Sequence, residues 1–545
     1  MAGRLLAFAR RRTGSPPGPC RQWISHHRGP SLTMTETISN RHLLQATGLA
    51  EKPLHLAQRV RIVLDSEWAS SRAGQLLASC LVNLLVRQVE LVGTIEILCP
   101  PIAALIRQPN GDVPGVPFAQ SLVLVASWAV GDRVEVLTPQ APAIAADVTI
   151  VIGRGSPGYS GTVLLALGNG WKAWIGACER GPTHVVPDST NPLGPFLAAA
   201  LAAGEVFKRG RGLLRGRFLK GDGYSLWSGQ TSPRWDELED GPELAGAGLR
   251  PIHIVGAGAV GNGLAYILAN SGFADAYVVV IDDDTYDDTS LNRCFLAGHD
   301  DVDDPKVDAV AGAMDRSGIG VFKYRGTISQ YLVADRTGLR ADVVQQADDL
   351  SFDIVASCVD RGLSRQHVQG LAPSLLFGGS TLGLKARANF YPNRPGAACL
   401  SCFNPSERDG EKMRELEKKL RDLGVDDRAA LLQDAGVDPQ LIEDYLASPK
   451  CGTLGEAALR NLATRAPSQF SVGFVSLAAA LLLATKMFQV ILWNGAPNRA
   501  DVCSFSFMNG GLGDSFLGPD DACEWGCQER RGQVDATHGT DRSVS

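Results

Sequence analysis

The chain of 545 residues is too long for a single hydrophobic core, and its 45% hydrophobic and 20% charged residues are typical of folded globular proteins rather than disordered or fibrous ones. The formal net charge of -6 is unevenly distributed, because residues 1–33 carry six arginines and no acid, which leaves -12 for the rest. The acidity of residues 34–545 argues against nucleic acid as the main partner. Twelve cysteines are too few for a disulfide scaffold in so long a chain, so a reducing cytoplasm is expected.

Residues 1–36 are predicted to be a disordered or mis-started N-terminal extension, with Met34 as the alternative true start. Their apolar stretch is too short for a secretory signal, although the arginine-rich, acid-free composition also permits a transit peptide. We therefore exclude them from the predicted fold.

Residues 37–215 are predicted to form a Rossmann-type domain that has lost its nucleotide site. Asp65–Arg72 (DSEWASSR) follows the first predicted strand, where Glu67 and Trp68 would obstruct a phosphate. A linker rich in Gly, Trp, Pro and charges is predicted over 216–248. The predicted strands are 60–64, 94–98, 121–126 and 148–152, and the predicted helices are 73–86 and 195–208.

Residues 249–515 are predicted to form a second domain of the same type that retains its site. Strand 252–255 is followed by a turn with glycines at three spaced positions, then by helix 264–270 and strand 277–281. Asp282 ends the second strand about 20 residues past the last glycine, where a carboxylate binds a ribose hydroxyl. The order predicts nucleotide binding through Gly256, Gly258, Gly261 and Asp282.

Charged residues behind the second strand favour chemistry at an ATP phosphate over hydride transfer, which needs no such cluster. Asp282 begins DDDTYDDTSLNR, which contains Asp284 and ends with Asn292 and Arg293, and Lys306 follows on the next predicted helix. Asp360 comes just after strand 354–357, at the edge of the sheet where a magnesium-binding acid belongs.

Two cysteine pairs suit a structural tetrahedral zinc, with two thiolates from each pair. The pairs are Cys399/Cys402 and Cys523/Cys527, the latter within a C-terminal segment predicted over 516–545. The alternative is four free cysteines, with one pair redox-active.

A charged helical insertion is predicted over 404–470. The apolar stretch that follows, 472–493, is too interrupted by polar residues for a membrane span, and it predicts a buried core helix instead. Cys451 lies in a Gly-Thr-Gly-containing connection, where Lys450 and a following helix N-terminus would both favour a thiolate. We predict Cys451 as the nucleophile; the alternatives are a passive loop cysteine, or Cys294, Cys358 or Cys503 as nucleophile.

These motifs together resemble the ThiF/MoeB/E1 superfamily, enzymes that activate ubiquitin-like proteins and sulfur carriers. GAGAVG at 256–261 is similar to its glycine turn, residues 282–293 to its D-x-D-x-V-x-x-S-N-L-N-R segment, and DPKVDAV at 304–310 to its lysine helix. The resemblance covers about 37–514 and implies an α/β fold of two tandem Rossmann-type domains with mainly parallel sheets, the first degenerate, plus a cysteine-bearing helical insertion and a zinc knuckle. Ser290 and Cys294 depart from the Asn and Gln of the family pattern.

The resemblance also implies residue roles. Asp282 would bind ribose; Asn292, Arg293 and Lys306 would contact phosphates; and Asp360 would hold magnesium. Arg41, in SNRHLLQATGL, would be an arginine finger supplied by the inactive half to the ATP of the active half. The cofactors would be ATP, Mg²⁺ and Zn²⁺, with Cys451 as the thioester cysteine.

The implied partners are a ubiquitin-like protein and an E2-like conjugating enzyme, with no nucleic acid and no membrane. Oligomerisation, as a homodimer or a hetero-complex, is left open. Family analogy and composition suggest the hypothesis that the protein belongs to a bacterial conjugation operon in antiviral defence. The rivals are an adenylation-only enzyme for a sulfur carrier or peptide, an NAD-dependent oxidoreductase and a non-catalytic scaffold.

Overall fold

The computed structural model describes residues 55–111, 114–154, 158–213, 220–336, 352–360, 362–392, 396–403, 408–435, 437–450, 453–464, 472–493, 500–521, 523 and 525–527. Arg41 and Cys451 lie outside these residues, as does the predicted extension over 1–36.

The first half forms an eight-stranded sheet in the order β3-β2-β1-β4-β5-β6-β7-β8. The first five strands in that order are parallel, and β6, β7 and β8 add antiparallel. The strands are β1 (Gln58–Leu64), β2 (Val92–Leu98), β3 (Glu135–Leu137), β4 (Val148–Ile152), β5 (Thr162–Asn169), β6 (Lys172–Ala177), β7 (Asp222–Ser225) and β8 (Thr231–Ser232). The helices are α1 (Ser66–Ala69), α2 (Arg72–Val86), α3 (Phe118–Val130) and α4 (Leu193–Gly210).

The second half repeats this topology in a second sheet of order β11-β10-β9-β12-β13-β14-β15-β16. Its last three strands again add antiparallel. The strands are β9 (Gly248–Val255), β10 (Asp275–Asp282), β11 (Gly320–Arg325), β12 (Ile354–Ser357), β13 (Leu375–Leu382), β14 (Lys385–Pro392), β15 (Val502–Ser506) and β16 (Gly511–Ser515). The helices outside the insertion are α5 (Ala259–Asn270), α6 (Lys306–Arg316), α7 (Ile328–Arg336), α8 (Gly362–Gly370), α9 (Leu400–Phe403) and, after the insertion, α14 (Gly473–Leu492).

The predicted α/β class with two mainly parallel sheets is confirmed, but one predicted strand is wrong. Residues 121–126 lie in helix α3. Their apolar residues fit the two-residue period of a strand as well as the period of a helix. In the structure the buried positions Phe118, Leu122, Val125 and Ala129 follow the three-to-four-residue spacing of a helix face, and Leu124 is exposed. Residues 216–248, predicted as a linker, contribute β7 and β8 to the first sheet.

Helices from both halves pack together between the two sheets. Phe196 on α4 stacks on Tyr266 of α5 with ring centroids 4.6 Å apart, and Phe207 lies against Phe474 of α14. Lys208 donates to the carbonyl of Phe507 at 3.1 Å. One hydrophobic core therefore runs through both halves.

Helix α14 is the one described helix long and apolar enough to cross a membrane. It is buried from Gly473 to Gln489 and packs against α4, α5 and strands β13 and β14. The prediction of a buried core helix is confirmed.

The insertion forms a helical subdomain with a separate small core. Its helices are α10 (Arg408–Asp422), α11 (Val425–Asp434), α12 (Pro439–Ala447) and α13 (Leu454–Thr464). Leu420, Leu432, Ile442 and Leu459 are fully buried in this core. Arg428, itself buried, pairs with both carboxylate oxygens of Glu443 and donates to the carbonyl of Leu420.

Candidate functional site

The glycine turn after β9 has the shape expected of an anion-binding turn. Gly256 has φ of +99° and donates to the carbonyl of Ile281 at 2.8 Å; a Cβ here would lie 2.9 Å from the backbone of Cys358. A Cβ at Gly261 would lie 1.9 Å from the carbonyl oxygen of Gly256, so both positions require glycine. Gly258 differs, because a Cβ there would meet nothing within 4 Å.

Gly258 is the N-cap of α5 and offers no side chain to the helix N-terminus. The first backbone N–H groups of α5 therefore face an open approach, and the helix dipole favours an anion at that end. This arrangement can receive a phosphate.

Asp282 is anchored between the glycine turn and the acidic segment that follows it, residues 283–288. Its Oδ2 accepts from the backbone N–H of Ala257 at 2.5 Å, and its Oδ1 accepts from that of Asp284 at 2.8 Å. Each oxygen keeps a lone pair that can accept a further hydrogen bond, as a ribose hydroxyl would donate. Burial raises the pKa of Asp282, although Lys306 and the two N–H donors favour its charged form.

Lys306 is the first residue of α6 and lies beside the acidic segment. Its Nζ binds Oδ2 of Asp284 at 2.8 Å, and its backbone N–H donates to the carbonyl of Asp284 at 3.0 Å. Burial alone would lower the pKa of Lys306, but the carboxylates of Asp282 and Asp284 raise it overall. The lysine is therefore held charged at the carboxyl edge of the sheet.

Asn292 and Arg293 are held side by side at the end of a short 3₁₀ helix, Asp288–Asn292. One guanidinium nitrogen of Arg293, Nη1, donates to the carbonyl of Thr289 and to Oδ1 of Asn292, both at 2.9 Å. Arg293 thus takes its position from the 3₁₀ helix itself.

The same 3₁₀ helix explains the Ser that departs from the family pattern. Oδ1 of Asp287 accepts from both the backbone N–H and the hydroxyl of Ser290. The Ser290 hydroxyl oxygen accepts in return from the backbone N–H of Asp287 at 3.5 Å, which closes a capping box at the helix start. These hydrogen bonds, together with Arg293, lower the pKa of Asp287 although burial opposes them.

Asp360 is exposed and lies shortly after the end of β12. Strand β12 pairs with β9, and β9 with β10, so their carboxyl ends share one edge with the glycine turn and Asp282. An exposed carboxylate at this edge, together with substrate phosphates, is a donor set that Mg²⁺ accepts.

Sequence reasoning missed Asn262, a fully buried residue directly after the last glycine. Its Oδ1 accepts from the N–H of Leu296 at 2.9 Å, and its Nδ2 donates to the hydroxyl of Tyr286 at 3.0 Å. Asn262 therefore joins α5 to the segment that carries Arg293. A polar residue inside an otherwise apolar helix was the available signal.

In the first half, the helix N-terminus at the matching place is occupied by the protein's own carboxylate. Asp65 follows β1, and its oxygens accept from the N–H groups of Trp68 at 2.8 Å and Arg154 at 2.6 Å. Trp68 is buried beneath this turn, and β2 ends at Leu98 and is followed by Cys-Pro-Pro, with no acid in the place of Asp282. The first site is therefore filled from within.

The four paired cysteines converge on one point. Their sulfurs all lie within 4.8 Å of one another, and three pairs, Cys399–Cys402, Cys399–Cys523 and Cys402–Cys527, are separated by 3.7, 3.6 and 3.5 Å. A tetrahedral zinc with Zn–S bonds of about 2.3 Å requires sulfurs roughly 3.8 Å apart, so the cluster fits that ion. Gly526, at φ of +58°, turns the chain within the longer second pair.

The described residues constrain the candidate nucleophiles. Cys451 lies outside them, between α12 and α13; its described neighbour Thr453 caps α13 by accepting from the N–H of Glu456 at 3.2 Å. Cys294 and Cys503 are buried. Burial raises the pKa of the Cys294 thiol and that of Cys358, the latter to about 12.

Two family profiles match the chain without overlapping. The ThiF family matches residues 250–518, and the BilD N-terminal domain matches residues 59–216. The first match contains the glycine turn, the acidic segment and Asp360. The second covers most of the half whose site is filled by Asp65.

The chain is also similar to an uncharacterised protein, y4jF, of Sinorhizobium fredii, with 26% identity over 300 residues. The match covers 53% of each protein, so the chain spans about half the length of this curated relative.

Among solved structures, E. coli MccB with AMPCPP and MccA has 18% identity and a TM-score of 0.32, over 50% of this chain and 66% of that one. MccB with ATP has 18% identity and a TM-score of 0.32, over 52% of this chain and 67% of that one.

Proposed function

Because the chain belongs to the ThiF/MoeB/E1 superfamily, we propose that it adenylates the C-terminal glycine of a ubiquitin-like protein with Mg-ATP and transfers the acyl group to Cys451. The observation that carries the adenylation step is the arrangement around Asp282. The open turn at Gly258, the anchored carboxylate and the charged Lys306 lie at one sheet edge. Such a set suits a nucleotide whose phosphates are the reacting part.

The phosphates would approach the N-terminus of α5 over Gly258, and Asp282 would accept from the ribose. Lys306, Arg293 and Asn292 would stabilise the charge that develops on the phosphates. Mg²⁺, held by Asp360, would neutralise phosphate charge. Arg41, outside the described residues, would add a further cation from the first half.

The substrate carboxylate would attack the α-phosphorus, so that a carboxylate–phosphorus bond forms, the bond to the bridging oxygen breaks, and pyrophosphate leaves. The Cys451 thiolate would then attack the acyl carbon and release AMP. The described surroundings favour a thiolate here, because Lys450 precedes the cysteine and α13 begins shortly after it. The thioester preserves the energy of the adenylate for a conjugating enzyme.

An adenylation-only enzyme acting on a sulfur carrier or a peptide is the second candidate. It would use the same residues at the second sheet and would not require Cys451. The insertion favours the thioester reading, because a separately packed helical subdomain carries that cysteine between two of its helices.

The two candidates separate on one variant. Cys451→Ala should keep ATP–pyrophosphate exchange and lose a reductant-sensitive adduct with the ubiquitin-like protein on a gel, while Cys451→Ser should form a stable ester. The gene next to this one is the first place to look for that protein, as a short reading frame ending in glycine.

The matched controls are Asp360→Ala, which should lose exchange and adduct together, and Cys503→Ser, which should keep both. An adduct that persists in Cys451→Ala would move the nucleophile elsewhere. Product formation without any thiol-labile adduct in the wild type would favour the adenylation-only enzyme.

A further inference from the structure

A buried arginine of the first half forms hydrogen bonds with the segment that carries Arg293, residues 288–298. Arg87, the C-cap of α2, is 1% exposed. Its Nη1 donates to the carbonyl of Leu291 at 2.6 Å, and its Nη2 donates to the carbonyl of Ala297 at 2.8 Å. Leu291 precedes Arg293 and Ala297 follows it, so one guanidinium holds the chain on both sides of Arg293.

Neighbouring residues of the first half hold the guanidinium itself. Oδ1 of Asn83 accepts from Nε of Arg87 at 2.8 Å, while its Nδ2 donates to the carbonyl of Phe295 at 3.1 Å. The ring of Trp128 on α3 lies 5.7 Å from the guanidinium carbon. Burial lowers the pKa of Arg87 to about 10, which still leaves the side chain charged at neutral pH.

Trp128 and Arg133 extend this contact to both ends of the segment. The backbone of Gly298 passes so close to Trp128 that a Cβ would lie 2.4 Å from the indole nitrogen. Arg133 pairs with Asp288 at 2.9 Å. Both ends of the stretch from 288 to 298 and its middle are therefore held by α2, α3 and the short 3₁₀ helix, Gly131–Arg133, that follows α3 in the first half.

The position of Leu291 fixes that of Arg293. Leu291 belongs to the 3₁₀ helix Asp288–Asn292, and Arg293 is held by the Thr289 carbonyl and the Asn292 amide of that helix. A shift of the Leu291 carbonyl would therefore move both groups expected to contact phosphate. Displacements of about 1 Å can cost roughly 100-fold in such sites.

We propose that Arg87 is a positioning residue for the phosphate site: the degenerate half sets Asn292 and Arg293 in place for the β- and γ-phosphates of ATP. The inference rests on the proposed function. A guanidinium suits the task, because its planar fork donates to two fixed carbonyls at once, which a single ammonium group matches less well.

The test compares Mg-ATP with AMP, because the proposed role concerns phosphates that AMP lacks, and it needs no acyl substrate. By calorimetric titration, Arg293→Ala and Arg87→Met should each weaken Mg-ATP binding roughly tenfold or more, the worth of one charge-assisted hydrogen bond, and leave AMP binding unchanged. In Arg87→Met/Arg293→Ala the loss should be smaller than the sum of the two single losses, because Arg87 acts in part through Arg293.

Arg72→Ala is the matched control. Arg72 lies on the same helix and also crosses to the second half, but it donates to the carbonyl of Asn270, away from the segment. This variant should bind both nucleotides normally. If Arg87→Met does not fold, Arg87→Lys keeps the charge without the fork and should show a smaller loss that is again selective for ATP.

Equal losses for ATP and AMP, or losses that add in the double variant, would reduce Arg87 to a structural residue and overturn the inference while leaving the proposed function standing. Failure of the wild type to bind Mg-ATP would remove the proposed function, and the inference with it.

Discussion

At the residue scale, two glycines of one turn differ in what a methyl group would meet. Gly258→Ala should leave the melting temperature unchanged, because a Cβ there has no neighbour within 4 Å, yet it should weaken Mg-ATP binding by occupying the approach of the phosphate. Gly261→Ala should lower both the melting temperature and the affinity for Mg-ATP, since its Cβ would lie 1.9 Å from the Gly256 carbonyl oxygen. Thermal melts and ATP titrations of the pair check this. Normal ATP affinity in Gly258→Ala would place the phosphate somewhere else.

Thiol pKa values provide a second test at this scale. Burial raises the pKa of Cys358 to about 12 and that of Cys178, which is partly exposed, to about 11. Both thiols are therefore protonated at pH 8, and because the thiolate is the reactive form, their alkylation should accelerate only as the pH rises towards those values.

Brief iodoacetamide treatment at pH 8, followed by peptide mapping, should instead label Cys451 first, at a rate that falls only at lower pH. Cys178 is the control for exposure without activation. Faster labelling of Cys178 than of Cys451 would argue against an activated thiol at 451.

At the element scale, the cysteine cluster joins α9 and the residue before it to the C-terminal segment. Purified protein should contain about one zinc per chain, and Cys402→Ser or Cys527→Ser should lose it and melt at a lower temperature, because a structural zinc stabilises the folded state. Cys503→Ser, buried in β15, is the control and should retain the metal. Elemental analysis decides the matter; full zinc occupancy in Cys402→Ser, or a disulfide within the cluster, would contradict the assignment.

Elements with one clear hydrophobic period were predictable from the sequence, and those that depend on distant partners were not. Strand β10 contains the unbroken apolar run 277–281, β9 ends in the mostly apolar run 252–255, and the glycine turn fixes where the helix between them begins. Residues 121–126 were misread, since an apolar run that short fits either period until its buried face is known. The short strands β7 and β8 depend on an existing sheet edge, because β7 pairs with β6 and β8 pairs with β7.

The candidate site shows the same division. The glycines, Asp282 and Lys306 were predictable because their spacing along the chain encodes their meeting at a sheet edge. The contacts of Arg87 and Asn83 were not, because each joins residues more than 200 positions apart, and no local pattern encodes such a pairing.

At the scale of the whole molecule, two halves of identical strand order have diverged in what occupies the helix N-terminus after their first strand. In the first half the Asp65 carboxylate fills it, and in the second half Gly258 leaves it open. The first half also supports the second, because Arg87, at the end of α2, holds the segment that carries Arg293. We therefore expect one nucleotide site per chain rather than two.

Calorimetric titration of the full chain with Mg-ATP, and separately with NADH, tests this account most directly. The glycine turn and Asp282 alone would suit either nucleotide, whereas Arg293, Lys306 and Asp360 favour a reacting polyphosphate. The account predicts about one Mg-ATP per chain, bound more tightly than NADH, and loss of that binding in Lys306→Ala. Binding of NADH in preference to ATP, or of two ATP molecules per chain, would contradict it.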